Sequence, residues 1–353
     1  MEPLTVIERR LHQQRLAGDP FATPKAVVRG LGAMQAQEFA EAKFSIAERT
    51  PGCTDAGVEA AFARGDILRT HVLRPTWHFV APEDIRWMLS LTAPRVQKAA
   101  AYSYRQAGLD ARELARGDRR IVRALSDGEP RTRAELGSVL GGPAGALSHR
   151  MMHAELGGLV VSGPRRGKQH TYALLEARAP GARDLPREEA LAELTRRYFT
   201  GHGPATVRDF AWWSGLTVTD IRAALAALGD ALVCESDDDG RAWYSAPDAA
   251  APSRPTGGYL IGMYEELGVA YKDVRMAMAA QPPRDGLMRR PIVIEGWTVG
   301  SWQRTLARRS VAVEALLFTT VSRAQTAALR AAAERLGEFL ELPVTLEVRR
   351  ATV

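Results

Sequence analysis

The sequence predicts an α+β fold: three tandem winged-helix units followed by a β-rich C-terminal domain. Two observations lead to this fold class. First, an order of three helices and a β-hairpin occurs three times along the chain, which is the order of a winged helix, a variant of helix-turn-helix. Second, short β-type runs dominate after about residue 255. Such an array is typical of a nucleic-acid-binding scaffold, although some winged helices contact only proteins.

The first unit, residues 1–95, shows the order in its loosest form. Apolar spacing predicts helices in LTVIERRLHQQRLA, TPKAVVRGLGAM and TDAGVEAAFARGD, the last with Thr54 as its N-cap. The segment ILRTHVLRPTWHFV gives two β-type runs around Arg74 and Pro75. We expect a hairpin there, with Arg74 as a DNA contact.

Gln35 and Gln37 lie in an otherwise apolar stretch of this unit, LGAMQAQEFA. On a helix, residues i and i+2 point about 200° apart, whereas on an extended segment they share a face. The two amides can therefore form one site only where the backbone leaves the helix. From the residues alone, two solvated amides on a surface helix are the simpler interpretation, because exposed glutamine is common.

The run RPTWHFV places Thr76 and His78 on one face of an extended strand and two aromatic residues on the other. The aromatic face is predicted to be the core side. His78 then either packs between domains with a hydrogen-bond partner, or lines a cleft beside the glutamines. Thr76 and His78 are possible active-site residues on the second interpretation.

The second unit, residues 96–180, gives the clearest pattern. The helix in DRRIVRALSDGEP is followed by TRAELGSVL, in which Thr132 and Glu135 have the spacing of a capping box. A third helix in GGPAGALSHRMMHAELGGL precedes the hairpin VVSGPRRGKQHTYAL. The basic turn of this hairpin predicts phosphate contacts by Arg165, Arg166 and Lys168.

The third unit, residues 187–246, repeats the order with an acidic wing. Its predicted helices are REEALAELTRRYFTGHG, ATVRDFAWWSGL and TVTDIRAALAALGDALV, and its hairpin is LVCESDDDGRAWYSA with an Asp-Gly turn. The acidic wing is poorly suited to binding phosphate. Trp212 and Trp213 are expected to pack in the core, with base stacking as the less favoured alternative.

The C-terminal domain, residues 255–353, follows a linker at 244–256. Short strands are predicted in RPTGGYLIGMYEELGVAYKDVR, PIVIEGWTVGSWQRTL and SVAVEALLFT, then a long amphipathic helix and the strand PVTLEVRR. The loop AAQPPRDGLMRRP is either a solvated loop or a segment that enters a DNA groove. On the second interpretation its arginines, Arg284, Arg289 and Arg290, contact DNA.

Composition limits the function classes. The chain has 353 residues and a formal net charge of +6, with most of the positive charge on arginine, which is compatible with a nucleic-acid partner. No apolar run reaches the roughly 20 residues that span a bilayer, and the N-terminus lacks the apolar core of a signal peptide. Cys53 and Cys234 are isolated, which argues against a zinc site or a disulfide framework. We expect a cytoplasmic monomer with no cofactor, metal or membrane partner.

Five segments together resemble the AlkZ-type bacterial DNA glycosylases, a winged-helix family that excises bulky alkylated guanines and unhooks crosslinks. They are GLGAMQAQ, LRPTWHFVAPEDIRWMLSLTAPR, GPATVRDFAWWSGL, LIGMYEELGVAYKDVR and PIVIEGWTVGSW, and they span nearly the whole chain. One departure is the run Tyr264 to Leu267, where the family usually has Asp-Glu-Tyr. The acids in that run are therefore interpreted as structural.

The resemblance implies that Gln35 and Gln37 form the family's catalytic Gln-x-Gln motif on a C-shaped DNA-binding scaffold. The implied activity is a monofunctional DNA glycosylase that hydrolyses the N-glycosidic bond of bulky N7-alkylguanine in double-stranded DNA, for self-resistance to a genotoxic natural product. Glutamine cannot act as a general base at neutral pH. Amide-only chemistry therefore predicts a labile, cationic base as leaving group. The alternatives are a non-catalytic winged-helix transcriptional regulator and a drug-sequestering protein, both without base release.

Overall fold

The computed structural model describes residues 2–247, 256–272, 277–279 and 290–351. Helices and small antiparallel sheets form the part before residue 247, and a larger mixed sheet forms the C-terminal part. Within the described ranges, no helix is long and apolar enough to cross a membrane. The same ranges contain no group of three or more histidine, cysteine or acidic residues arranged to hold a metal ion.

The first unit is built around a three-stranded antiparallel sheet of order β1-β3-β2. Its elements are α1 (Pro3–Gln13), α2 (Pro24–Leu31), β1 (Ala33–Gln35), α3 (Phe39–Ala47), α4 (Asp55–Arg64), β2 (Leu68–His71) and β3 (Trp77–Val80), and the long helix α5 (Ile85–Gln106) leads out of it.

The sequence-based prediction of one helix through Met34 is wrong at its C-terminal end. Helix α2 ends at Leu31, and Gly32 adopts φ +79°, which L side chains rarely adopt. The chain then enters β1. The following helix α3 was not predicted, because most of its residues are buried, including the polar Glu41 and Lys43, so no amphipathic periodicity marks it.

The second unit repeats this connectivity with the sheet order β4-β6-β5. The capping box of Thr132 and Glu135 is present at the start of α7, as predicted. The elements are α6 (Ala111–Ala124), β4 (Arg131–Thr132), α7 (Arg133–Leu140), α8 (Ala144–Leu156), β5 (Val160–Arg166), β6 (Gln169–Leu174) and α9 (Leu175–Arg178).

The third unit has the same connectivity again. Ala205 forms an isolated antiparallel bridge with Tyr244, so the segment before the second helix again pairs with the last strand of the hairpin. The elements are α10 (Arg187–His202), α11 (Val207–Ser214), α12 (Val218–Leu228), a 3₁₀ turn (Gly229–Ala231), β7 (Val233–Ser236) and β8 (Ala242–Ser245). The name winged helix and the domain boundaries stay interpretations of this repeated order.

The C-terminal sheet has the order β14-β13-β12-β11-β9, and β10 pairs with β12. Its elements are β9 (Gly258–Leu260), α13 (Glu266–Val269), β10 (Ala277–Met278), β11 (Pro291–Ile294), β12 (Trp297–Leu306), β13 (Val311–Leu317), α14 (Arg323–Leu340) and β14 (Val344–Arg350). The short helix α13 replaces part of a predicted strand. One apolar core joins this sheet and α14 to the first unit, and a second core joins the first unit to the third.

Candidate active site

Gln35 and Gln37 lie outside any helix, as a joint site requires. Gln35 is the last residue of β1 and is buried, and Gln37 is half-buried two residues later, before α3 begins. The turn at Gly32 opens the backbone here, so the simpler interpretation of a surface helix with two solvated amides is wrong.

The backbone between the two glutamines is held on both sides. The Ala36 N–H donates to the Trp77 carbonyl at 2.7 Å, and the Ala36 carbonyl accepts from Arg69 Nε at 3.0 Å. Arg69 also lies over the Trp77 ring, 4.4 Å from its centroid. Burial lowers the pKa of Arg69 to about 10, which still leaves the guanidinium charged at neutral pH. The motif is therefore fixed in place before any substrate binds.

Arg74 orients the side chain of Gln35. Its Nη2 donates to Gln35 Oε1 at 3.0 Å. Because a guanidinium group only donates, the amide oxygen must face Arg74, which turns the NH₂ group of Gln35 away from it. Burial lowers the pKa of Arg74, and the nearby carboxylate of Glu266 partly offsets this effect. The residue predicted to contact DNA thus lies directly against the predicted catalytic amide.

Glu266 anchors the other side of Gln35. Its Oε1 accepts the Gln35 backbone N–H at 2.6 Å, and its Oε2 accepts from Trp213 Nε1 at 2.9 Å and lies 3.3 Å from His202 Nε2. Burial by itself raises the pKa of Glu266, but the hydrogen bond and charge of His202, with the Gln35 N–H, lower it below its usual range. Glu266 is therefore an ionised, buried carboxylate in contact with the motif. The sequence interpretation assigned it only a general structural role.

His78 pairs across the sheet with Gln35 but is completely buried. Its Nδ1 lies 3.0 Å from the Thr76 carbonyl, so Nδ1 carries the proton and Nε2 is an acceptor. Neither His78 Nε2 nor the buried Thr76 Oγ1 has a hydrogen-bond partner among the residues that the structure describes. Burial, together with the charge of Arg74, lowers the pKa of His78 to about 3. His78 is thus a neutral group inside the packing beside Gln35.

A small cavity of about 10 Å³ opens next to Gln35, which on this measure is room for about one water molecule. Four carboxylates line it, at positions 38, 41, 265 and 266. Glu38 is exposed, whereas Glu41 pairs with Arg290 at 2.6 Å. Sequence reasoning missed this acidic lining. The signal for Glu38 was present, since it directly follows the glutamine motif.

The predicted basic wing of the second unit is partly engaged within the protein. Arg165 forms two hydrogen bonds to Glu59 on α4, at 2.8 and 2.7 Å, and Arg166 pairs with Glu135 at 2.7 Å. Burial raises the pKa of Glu59, but Arg165 and then Lys43 lower it below its usual range, so the contact is an ion pair. Lys168 is exposed. Phosphate binding by this wing stays a prediction.

The arginines of the C-terminal loop are only partly described. Arg284 and Arg289 lie outside the described residues. Arg290 donates to Glu41 Oε1 through Nε at 2.8 Å and Nη2 at 2.6 Å, so its charge is offset by that carboxylate. A role of these three residues in DNA binding stays a prediction.

The paired tryptophans of α11 have different environments. Trp213 is completely buried, as expected. Trp212 is 50 % exposed, so the expectation that it packs in the core is wrong. The Arg74 guanidinium lies 5.7 Å from the centroid of the Trp212 ring. The exposed indole is therefore separated from Gln35 by a single side chain.

Comparisons with known proteins identify the family of this chain. The model of a family described as DNA glycosylase AlkZ-like matches residues 28–339, a range that contains Gln35, Gln37 and Glu266. The interstrand DNA cross-link repair glycosylase of Streptomyces sahachiroi is 28 % identical over 330 residues, covering 82 % of this chain and 85 % of that protein. The solved structure of the Streptomyces sahachiroi DNA glycosylase AlkZ superposes with a TM-score of 0.79 at 22 % identity, covering 99 % of this chain and 100 % of that one, which shows a shared fold.

Proposed function

Because the chain belongs to the DNA glycosylase AlkZ-like family, we propose that this DNA glycosylase is monofunctional and hydrolyses the N-glycosidic bond of bulky N7-alkylguanine in double-stranded DNA. The observation that carries the proposal is the fixed amide of Gln35. Arg74 donates to its side-chain oxygen, and the buried carboxylate of Glu266 accepts the Gln35 backbone N–H. A cavity with room for a water molecule lies beside it.

The amide chemistry is sufficient only for an activated substrate. Guanine alkylated at N7 carries a positive charge, so when the bond between C1′ and N9 breaks, the bonding electrons neutralise the departing base. The sugar then develops oxocarbenium character, which the acidic lining of the cavity stabilises electrostatically. A neutral, unmodified base lacks this driving force and is not released.

The nucleophile in this proposal is one water held near C1′. The NH₂ group of Gln35, turned away from Arg74, donates a hydrogen bond to the water oxygen, and the amide oxygen of Gln37 accepts a hydrogen bond from the water. As the water attacks C1′ it loses a proton, which the exposed Glu38 accepts and passes to solvent. The products are an abasic site and the free alkylated base.

A lyase reaction is not proposed, because the lysine closest in sequence to the motif is occupied. Lys43 Nζ contacts Asp55 at 2.9 Å and Glu59 at 2.8 Å, and its side chain is 3 % exposed. Two carboxylates hold this amine in ion pairs, whereas a Schiff base requires a free amine that can attack the sugar. The DNA strand should therefore remain intact until alkali is added.

The name of the Streptomyces sahachiroi relative, an interstrand DNA cross-link repair glycosylase, supports crosslinked DNA as a substrate. A role in self-resistance to a DNA-alkylating natural product is part of the same proposal. We further propose that the protein acts as a monomer in the cytoplasm, with the three repeated units as winged helices around a C-shaped DNA path. The proposed DNA contacts are Arg74, the wing residues Arg165, Arg166 and Lys168, and the three arginines Arg284, Arg289 and Arg290.

The proposal is tested with duplex DNA that carries one bulky N7-guanine adduct. Strand scission at the adduct after mild alkali, with free alkylated base detected by mass spectrometry, is expected for the wild type. The variants Gln35→Ala and Gln37→Ala and a sample without protein are the controls. Scission before alkali would indicate a lyase. A bound but intact adduct would instead support a regulator or a drug-binding protein.

A further inference from the structure

Each of the two tryptophans of α11 is linked to Gln35 through one intervening side chain. Trp213 Nε1 donates to Glu266, which accepts the backbone N–H of Gln35. Trp212 lies beside Arg74, which donates to the Gln35 amide oxygen. The buried indole thus supports the Gln35 backbone through Glu266, and the exposed indole lies beside Arg74, which orients the Gln35 side chain.

Exposure distinguishes Trp212 from the other tryptophans. All seven tryptophans of the chain lie in the described ranges, and Trp212, at 50 %, is the one that is exposed. The ring is held in place at one edge, because its Nε1 donates to the Val269 carbonyl at 3.3 Å. A fixed indole that leaves part of its ring in solvent gives up burial that would stabilise the fold, which is informative when it occurs beside a candidate active site.

The chemistry of such a surface is stacking. Planar nucleobases and aromatic rings bind to exposed indole faces, and this interaction tolerates different sequences because every base has a π face. The electron-rich face of an indole also attracts a cationic ring, and N7-alkylguanine is such a ring.

We propose that Trp212 is a stacking platform that binds a planar π system of the damaged DNA next to the scissile bond. This inference rests on the proposed function. The planar group has two possible sources, a nucleobase at the lesion or an arene carried by the adduct. In either case, Trp212 contacts the substrate and positions it for the Gln35 amide.

Two duplexes of matched bulk distinguish the sources, one with 7-benzylguanine and one with 7-(cyclohexylmethyl)guanine. Replacing Trp212 with alanine should lower kcat/KM roughly tenfold, mainly through KM, because loss of one stacked group typically weakens binding by roughly 5- to 100-fold. Trp212→Phe should keep most of the wild-type kcat/KM, because phenylalanine also offers an aromatic face. A loss on both duplexes assigns the nucleobase, and a loss on the benzyl duplex alone assigns the arene.

Tyr102→Ala is the matched control, since Tyr102 is an exposed aromatic residue, at 65 %, on a different helix. An unchanged KM in Trp212→Ala would overturn the proposal. A fall in kcat alone would also overturn it, because Trp212 would then only support Arg74. A binding measurement does not depend on turnover. The difference in fluorescence between the wild type and Trp212→Phe is the emission of Trp212, and binding of adducted DNA should quench it. If the wild type releases no base but this quenching occurs, the proposed function is wrong and the stacking role of Trp212 is supported. If no quenching occurs, the stacking role of Trp212 is wrong.

Discussion

Replacing Glu266 with glutamine puts an NH₂ group in place of a carboxylate oxygen that accepts hydrogen bonds from neighbouring N–H groups. The carboxylate accepts the Gln35 N–H at one oxygen, and at the other it accepts Trp213 Nε1–H and lies near His202. Glutamine has a single oxygen, so whichever way its amide turns, the NH₂ group faces an N–H donor. A buried donor without an acceptor costs about 1–3 kcal/mol. For a chain of 353 residues, a loss of that order corresponds to a fall in Tm of roughly 1–4 °C.

The origin of this cost is testable with a double-mutant cycle. Trp213→Phe removes the second donor while keeping an aromatic ring in the core. In that background, the amide oxygen of Glu266→Gln can accept the Gln35 N–H, and the NH₂ group no longer faces the Trp213 N–H. The second substitution should then cost at least about 1 kcal/mol less than it does in wild type. Chemical denaturation of the four proteins measures this, and strictly additive costs would refute the reasoning.

The pH dependence of stability gives an independent check. The pKa of Glu266 in the folded protein is below its usual value of 4.5. A carboxyl group of this kind contributes stability above the unfolded pKa, and this contribution is lost as pH falls through the folded pKa. The stability difference between wild type and Glu266→Gln should therefore be largest near neutral pH and should narrow below about pH 4.5. A difference that stays constant from pH 7 to pH 4 would contradict an ionised Glu266.

Three further predictions concern the motif, the buried histidine and the wing. Gln35→Ala and Gln37→Ala should each lower the single-turnover excision rate by about 10²-fold without changing duplex affinity, because the amides act in the transition state; a variant with full rate would remove that glutamine from the mechanism. His78→Ala should lower Tm by several degrees with little effect on the excision rate per folded molecule. Because the pKa of His78 is about 3, His78 should add no inflection to the pH–rate profile above pH 5. A normal Tm with slow excision would place His78 in the reaction. Arg166→Ala combined with Lys168→Ala should reduce the slope of log affinity against log salt by about 1.8; an unchanged slope would place the DNA path elsewhere.

Local signals in the sequence were enough to predict the repeated units. Capping residues, helix-ending glycines and the period of apolar residues act within a few positions, as the capping box at Thr132 illustrates. The helix α3 escaped detection because the core surrounds it, so its Glu41 and Lys43 are buried together with its apolar residues. Periodicity marks a helix only when one of its faces meets water.

The site was predictable only where one segment carries it. Gln35 and Gln37 lie two positions apart, and the family resemblance predicts them as the catalytic pair. Glu266 is 231 positions from Gln35, and no local pattern indicates that its carboxylate accepts the Gln35 N–H. Likewise, the basic wing suggested phosphate, whereas Arg165 binds Glu59, 106 positions away. Charge pairs of this range depend on how the units pack, which a single sequence does not contain.

The adjacent tryptophans illustrate the same limit at its sharpest. Trp212 and Trp213 are the same residue type, and successive residues on a helix point about 100° apart, so the sequence fixes their divergence but not which one is buried. Glu266 determines which one is buried, because its second oxygen accepts a hydrogen bond from Trp213 Nε1. With Trp213 buried in this contact, the ring of Trp212 lies beside Arg74 and is partly exposed to solvent. The carboxylate that holds the Gln35 backbone in place therefore also determines which of the two indoles is buried.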